Sequence, residues 1–92
     1  MQVNERQVLS FVSHLEKERR YSKNTIEAYN FELRRFSDKI NKDFLEVSAT
    51  DIKDFIIFLR AKKLSTKSIH RAVSALRSFF QHLKDYGLLT QN

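Results

Sequence analysis

The 92-residue chain has no cysteine, no proline and a single glycine. Without thiols, neither a disulfide framework nor a thiolate metal site is available. Tight turns between strands draw on glycine and proline at positions of special backbone geometry, so their near absence argues against a sheet. An all-α protein follows. A lone glycine also removes the glycine-rich loops that cradle nucleotide phosphates. No apolar run approaches the roughly 18 residues of a membrane span; the longest, Phe55 to Leu59, has five. The opening Met1-Gln2-Val3-Asn4-Glu5-Arg6 lacks the apolar stretch of a signal peptide. A soluble, cytoplasmic, single-domain protein with no membrane partner is therefore expected.

Acidic residues are missing from one long stretch. None occurs between Asp54 and Asp85, whereas Arg60, Lys62, Lys63, Lys67, Arg71, Arg77 and Lys84 all fall there. The whole of the net charge of +6 thus comes from one part of the chain. A concentrated basic surface implies a polyanionic partner. At the helical period, the run from Ser65 to Lys84 divides into two faces. Ile69, Val73, Leu76, Phe80 and Leu83 alternate at spacings of four and three and draw one apolar stripe. Lys67, His70, Arg71, Ser74, Arg77, Ser78 and Gln81 fall opposite, every one a hydrogen-bond donor and none negative. A merely solvated face normally mixes Glu with Lys, because opposite charges at i, i+4 support a helix. Ser65 stands where it can cap this helix, and Gly87 where it can end it.

Periodicity predicts four helices, at about 4–20, 23–41, 50–62 and 66–86. Val8, Phe11, Val12 and Leu15 form the stripe of the first, and Ile26, Tyr29, Leu33, Phe36 and Ile40 that of the second. Asn24 and Glu27 have capping-box spacing at the second helix's start. The connector 41–47 is expected to fold Phe44, Leu45 and Val47 back onto the core. In the third helix Ile57 and Phe58 flank a stripe of Ile52, Phe55, Ile56 and Leu59, which predicts the most buried helix of the four. Connections this short imply a compact four-helix bundle.

Catalytic constellations are absent from this pattern. His14, His70 and His82 lie on different helices or at unsuitable spacing, so no metal site is expected. His14 reads as a boundary residue, and His82 as a cation suited to the dipole at a helix end. Glu16, Glu18, Glu32 and Asp38 read as solubilising charges. The many Ser and Thr cluster at helix starts, where capping accounts for them. No enzymatic activity, cofactor or small-molecule substrate is expected of this segment.

Two blocks carry a family resemblance. Tyr21-Ser22-Lys23-Asn24-Thr25-Ile26-Glu27-Ala28-Tyr29, followed by Leu33 and Phe36, resembles the motif opening the second helix of the N-terminal core-binding domain of tyrosine recombinases. Leu64-Ser65-Thr66-Lys67-Ser68-Ile69-His70-Arg71, then Ser74-Ala75-Leu76-Arg77-Ser78-Phe79-Phe80, resembles the same domain's fourth-helix motif. Phage-type integrases and Xer-like enzymes share this SAM-like helical domain. Arg20-Tyr21 departs from the glycine and leucine of many members, and Val73 from a leucine. In the family an Asn-Pro pair commonly leads from this domain towards the catalytic one, so Asn92 suggests an excised domain, with the catalytic domain expected after residue 92.

The resemblance implies a module that binds double-stranded DNA and clamps it for strand exchange performed elsewhere, with subunits assembling as tetramers on the DNA. Carried over, Ser22, Lys23, Asn24 and Thr25 form a helix N-terminus able to hold a phosphate. Arg34, Lys67, His70, Arg71, Ser74 and Arg77 are the further expected DNA contacts. Arg71 and Arg77 are preferred, since a guanidinium binds bidentately. Replacing either by alanine is expected to weaken DNA binding while leaving the melting temperature nearly unchanged. The first and third helices are candidates for subunit contacts. The alternative is a helical protein-interaction domain whose basic face meets an acidic partner.

Overall fold

Serine caps three of the four helices. The computed structural model describes residues 2–87, with side chains from Glu5 onward, so the expectation attached to Asn92 lies outside the described residues. The helices are α1 (Gln2–Lys17), α2 (Lys23–Ile40), α3 (Ala49–Ala61) and α4 (Thr66–Asp85), with one 3₁₀ turn at Phe44–Glu46 and no strand among the described residues. Ser22 Oγ accepts from Thr25 N at 3.2 Å and Ser65 Oγ from Ser68 N at 3.1 Å. Each satisfies one of the backbone donors that a helix start leaves without partners. Asn24 and Glu27 are therefore not the cap of α2. A reciprocal capping box does open α3: Asp51 N donates to Ser48 Oγ at 3.3 Å, and Ser48 N donates to Asp51 Oδ2 at 2.9 Å. Together with Lys42 Nζ, 3.1 Å away, that backbone donor holds the Asp51 carboxyl below its ordinary range.

The chain turns left-handed where glycine would be natural. Arg20, Asn41 and Lys63 have φ of 54°, 50° and 63°, and only Asn41 belongs to a residue type suited to it. Past the end of α1 the chain turns at Arg20, and Tyr21 N donates to Leu15 O at 3.1 Å, six residues back, which ties the turn to the last part of the helix. The helix stops at Lys17, short of the expected residue 20. Tyr21 then packs edge-on against Tyr29, with ring centroids 6.0 Å apart, which seats the start of α2. Gly87, at φ 73°, follows the C-cap Tyr86 of α4 as the sequence implies.

Fully buried phenylalanines fill the centre. Phe11, Phe36, Phe44, Phe55 and Phe79 are each at most 1% exposed. Phe44 turns in from the 3₁₀ segment and meets Phe79 edge-on at 4.9 Å, while Phe36 meets Phe55 at the same separation. Such edge-to-face pairs add attraction beyond the area they bury. Leu45, beside Phe44, remains exposed and Val47 is half-buried, so only part of the connector folds inward.

Two packing expectations are corrected. The most buried helix is α4, which buries Ile69, Ala72, Ala75, Leu76, Phe79, His82 and Leu83; α3 buries only Phe55 and Leu59 and leaves Ile57 exposed. A helix packed on one side cannot hide an apolar far side, whatever its composition. The stripe of α4 is also rotated. Ala72 and Phe79 occupy the centre, and the expected Val73 and Phe80 are half-buried at its edge.

Candidate nucleic-acid interface

The outward side of α4 carries Lys67, His70, Arg71, Ser74 and Arg77, all exposed. At a helical rise of about 1.5 Å per residue, this row runs for roughly 15 Å. That length suits a helix lying in or across a groove about 12 Å wide. Among the described residues Lys67, His70, Ser74 and Arg77 make no side-chain hydrogen bond or ion pair, which leaves their donors for an external acceptor. Arg77 stands between two shallow grooves, one shared with Tyr21 and His82 and the other with Leu45, Ile52 and Phe80.

Arg71 differs from its neighbours. Its Nε donates to Glu32 Oε2 at 3.2 Å, reaching from α4 across to α2. Glu32 is 0% exposed and its other oxygen, Oε1, accepts from Arg35 Nη2. Glu32 is thus no solubilising charge: it is a buried anion bracketed by two guanidiniums, and an unpaired charge there would be costly. Its position was legible, since Glu32 stands three residues after Tyr29 and four before Phe36, on the apolar stripe of α2. Arg71 is thus tied to a buried carboxylate on another helix, although its side chain remains 53% exposed.

Ser22, Lys23 and Asn24 are exposed at the start of α2, and Thr25 is half-buried. Ser22 Oγ both accepts from Thr25 N and donates to Thr25 Oγ1, so cap and hydroxyl are already paired with one another. Arg34 does not join the α4 row by any contact. Its Nε donates to Asn30 Oδ1 at 3.2 Å, and its Nη1 lies 3.8 Å from Glu5 of α1.

The histidines depart most from expectation. His82 is buried, so it is no solvated cation at the end of α4, and its ring lies 5.0 Å from that of His14 on α1. Burial, reinforced by the nearby His14, holds the His82 pKa below 6.5, with Asp85 opposing the shift. Among the described residues no group of three or more His, Asp or Glu side chains forms a metal-binding cluster. No described helix is long and apolar enough to cross a membrane.

Fold and site together define a class: a small all-α domain whose longest helix is half core and half an acid-free row of donors. A family model described as phage integrase, N-terminal SAM-like domain, matches residues 8–87, and the chain belongs to that family. Among curated proteins it is similar to tyrosine recombinase XerC of Roseiflexus sp. (strain RS-1), 35% identical over 85 residues, covering 88% of this chain and 27% of that protein. XerC of Herpetosiphon aurantiacus is 33% identical over 92 residues, covering 96% and 30%. XerC of Lacticaseibacillus casei (strain BL23) is 31% identical over 90 residues, covering 92% and 30%. The chain therefore spans less than a third of the length of these relatives. No solved structure matches it significantly.

Proposed function

We propose that this chain binds double-stranded DNA through the outward face of α4, as the core-binding part of a tyrosine recombinase. The row Lys67, His70, Arg71, Ser74 and Arg77 carries the reading, because it is exposed and free of acidic side chains at its surface. Arg71 and Arg77 supply bidentate donors, Lys67 a mobile point charge, and His70 and Ser74 further hydrogen-bond donors. The start of α2, with Lys23 and the unpaired backbone donors beside Ser22 and Asn24, is a second contact for a phosphate. Arg34 belongs to the same reading only if it leaves Glu5 and Asn30 on binding. The role is to hold the duplex as one side of a clamp, while strand exchange belongs to a catalytic domain outside this chain. Work on DNA in company with other recombinase subunits, in the cytoplasm, completes the proposal.

Fluorescence anisotropy of a labelled duplex across a salt series tests it. Neutralising three or four phosphates releases their counterions, so log Kd should rise with log salt at a slope of about 3. Affinity that stays constant between low and moderate salt would contradict the proposal.

A second reading, protein interaction, has its own observation. Phe31 is exposed in a groove between α2 and α3 where Arg34, Arg35, Lys39 and Lys62 outnumber the one carboxylate, Asp38, beside Phe58, a setting suited to an acidic, partly apolar partner. Co-purification before and after nuclease treatment separates the two readings, since partners bridged by DNA are lost on digestion.

A further inference from the structure

Glu32 is the only buried carboxylate among the described residues, and it lies directly behind the proposed DNA face. Its charge opposes a polyanion, and a well-packed apolar side chain of similar size serves a core at least as well as a buried ion pair does. A negative group in that place therefore calls for a reason other than packing.

The geometry supplies one. Glu32 Oε2 engages Arg71 through Nε, and Arg35 fixes the carboxylate from the other side while its own guanidinium lies 5.1 Å from the ring of Phe31. With Nε engaged, the donors left to Arg71 are those of its two terminal nitrogens. That terminal edge matches a pair of neighbouring acceptors, whether two phosphate oxygens or O6 and N7 of a guanine. Free arginine side chains lose much conformational freedom when they bind, and a tethered one has lost part of it beforehand. No other residue of the α4 row has such a tether among the described residues.

We propose that Glu32 is a positioning residue, whose carboxylate orients Arg71 towards paired acceptors on the duplex and so strengthens DNA binding despite its negative charge. This rests on the DNA-binding reading above. The two possible roles of Glu32 predict opposite signs. If it acted only as a charge, Glu32→Gln would tighten binding; if it positions Arg71, Glu32→Gln weakens it.

The test is anisotropy with a labelled mixed-sequence duplex, using the parent chain, Glu32→Gln, Arg71→Gln and the double variant, with helix content checked by circular dichroism. Glu32→Gln is expected to weaken binding by about three- to tenfold, and to have no weakening effect once Arg71 is already replaced. Equal or tighter binding by Glu32→Gln overturns the proposal, as does equal weakening with and without Arg71. Arg71→Lys provides a check that leaves Glu32 in place and the charge unchanged. It is expected to bind at least about threefold more weakly than the parent, and parental affinity would show that any cation suffices. Repeating the ratio of parent to Glu32→Gln on a duplex containing 7-deazaguanine assigns the acceptors, since a guanine contact loses N7 there and a phosphate contact does not. A parent chain that binds without salt dependence sinks the DNA reading itself. Salt-dependent binding that ignores Glu32 sinks only the positioning role.

Discussion

The imidazole of His82 lies 5.0 Å from that of His14 and 4.6 Å from the ring of Tyr86, with neither of its nitrogens hydrogen-bonded. Such a ring is held neutral, because charging it would place a cation among rings and beside a second histidine. The unfolded chain takes up the proton near 6.5, whereas the folded chain resists it to lower pH. Stability from this site is therefore complete above 6.5 and falls as the pH drops below it. Urea titrations across that range should show the loss. His82→Phe should flatten it and, by removing buried polar atoms without partners, add about 1 kcal/mol.

Arg71 and Arg77 should separate in stability although both face outward. Arg71→Ala leaves the buried Glu32 with Arg35 alone, and because Arg71 is half-exposed the cost is about 1–2 kcal/mol rather than that of a fully buried pair. Arg77→Ala removes no partner from any described residue and should stay within about 0.5 kcal/mol. Thermal melts of the two variants check this. Equal melting temperatures would mean that the Glu32 contact contributes nothing.

Phe79 and Phe80 are neighbours in sequence with different roles in packing. Phe79 is 0% exposed and meets Phe11 and Phe44, whereas Phe80 is half-buried at the edge. Phe79→Ala should cost about 3–5 kcal/mol and Phe80→Ala about half as much. Denaturant midpoints measure both, and a reversed order would restore the stripe expected from the apolar spacing.

Arg20 occupies a left-handed turn without the freedom that glycine has there. Arg20→Gly relieves roughly 1 kcal/mol of strain and returns part of it as entropy to the unfolded chain. The melting temperature should rise by a few degrees. A fall would show that the contacts of the arginine side chain outweigh the strain.

Much of this molecule is legible in the chain. The missing proline, the serine at Ser65 and the four apolar periodicities suffice for the helices, because capping and amphipathicity are local properties. The α4 row was equally legible, since Lys67, Arg71 and Arg77, spaced in a run without an acid, need only be wound on a helix to form a face. Less legible were residues whose class misleads. Ala72 and Ala75 are small enough to be undervalued in an apolar stripe, yet small residues let helices approach closely. Ile57 is apolar and exposed because its helix has only one packed side.

The sequence by itself determined that the chain is helical, where its helices begin, and which side of α4 carries the positive charge, since each depends on neighbours within a turn or two. Only the tertiary structure decided that Glu32 bridges α2 to α4, that His14 meets His82, and that Arg71 is tethered while Arg77 is free. These relations join residues far apart in the chain. Burial, not residue type, sets the cost of their charges, and burial exists only once the helices have packed.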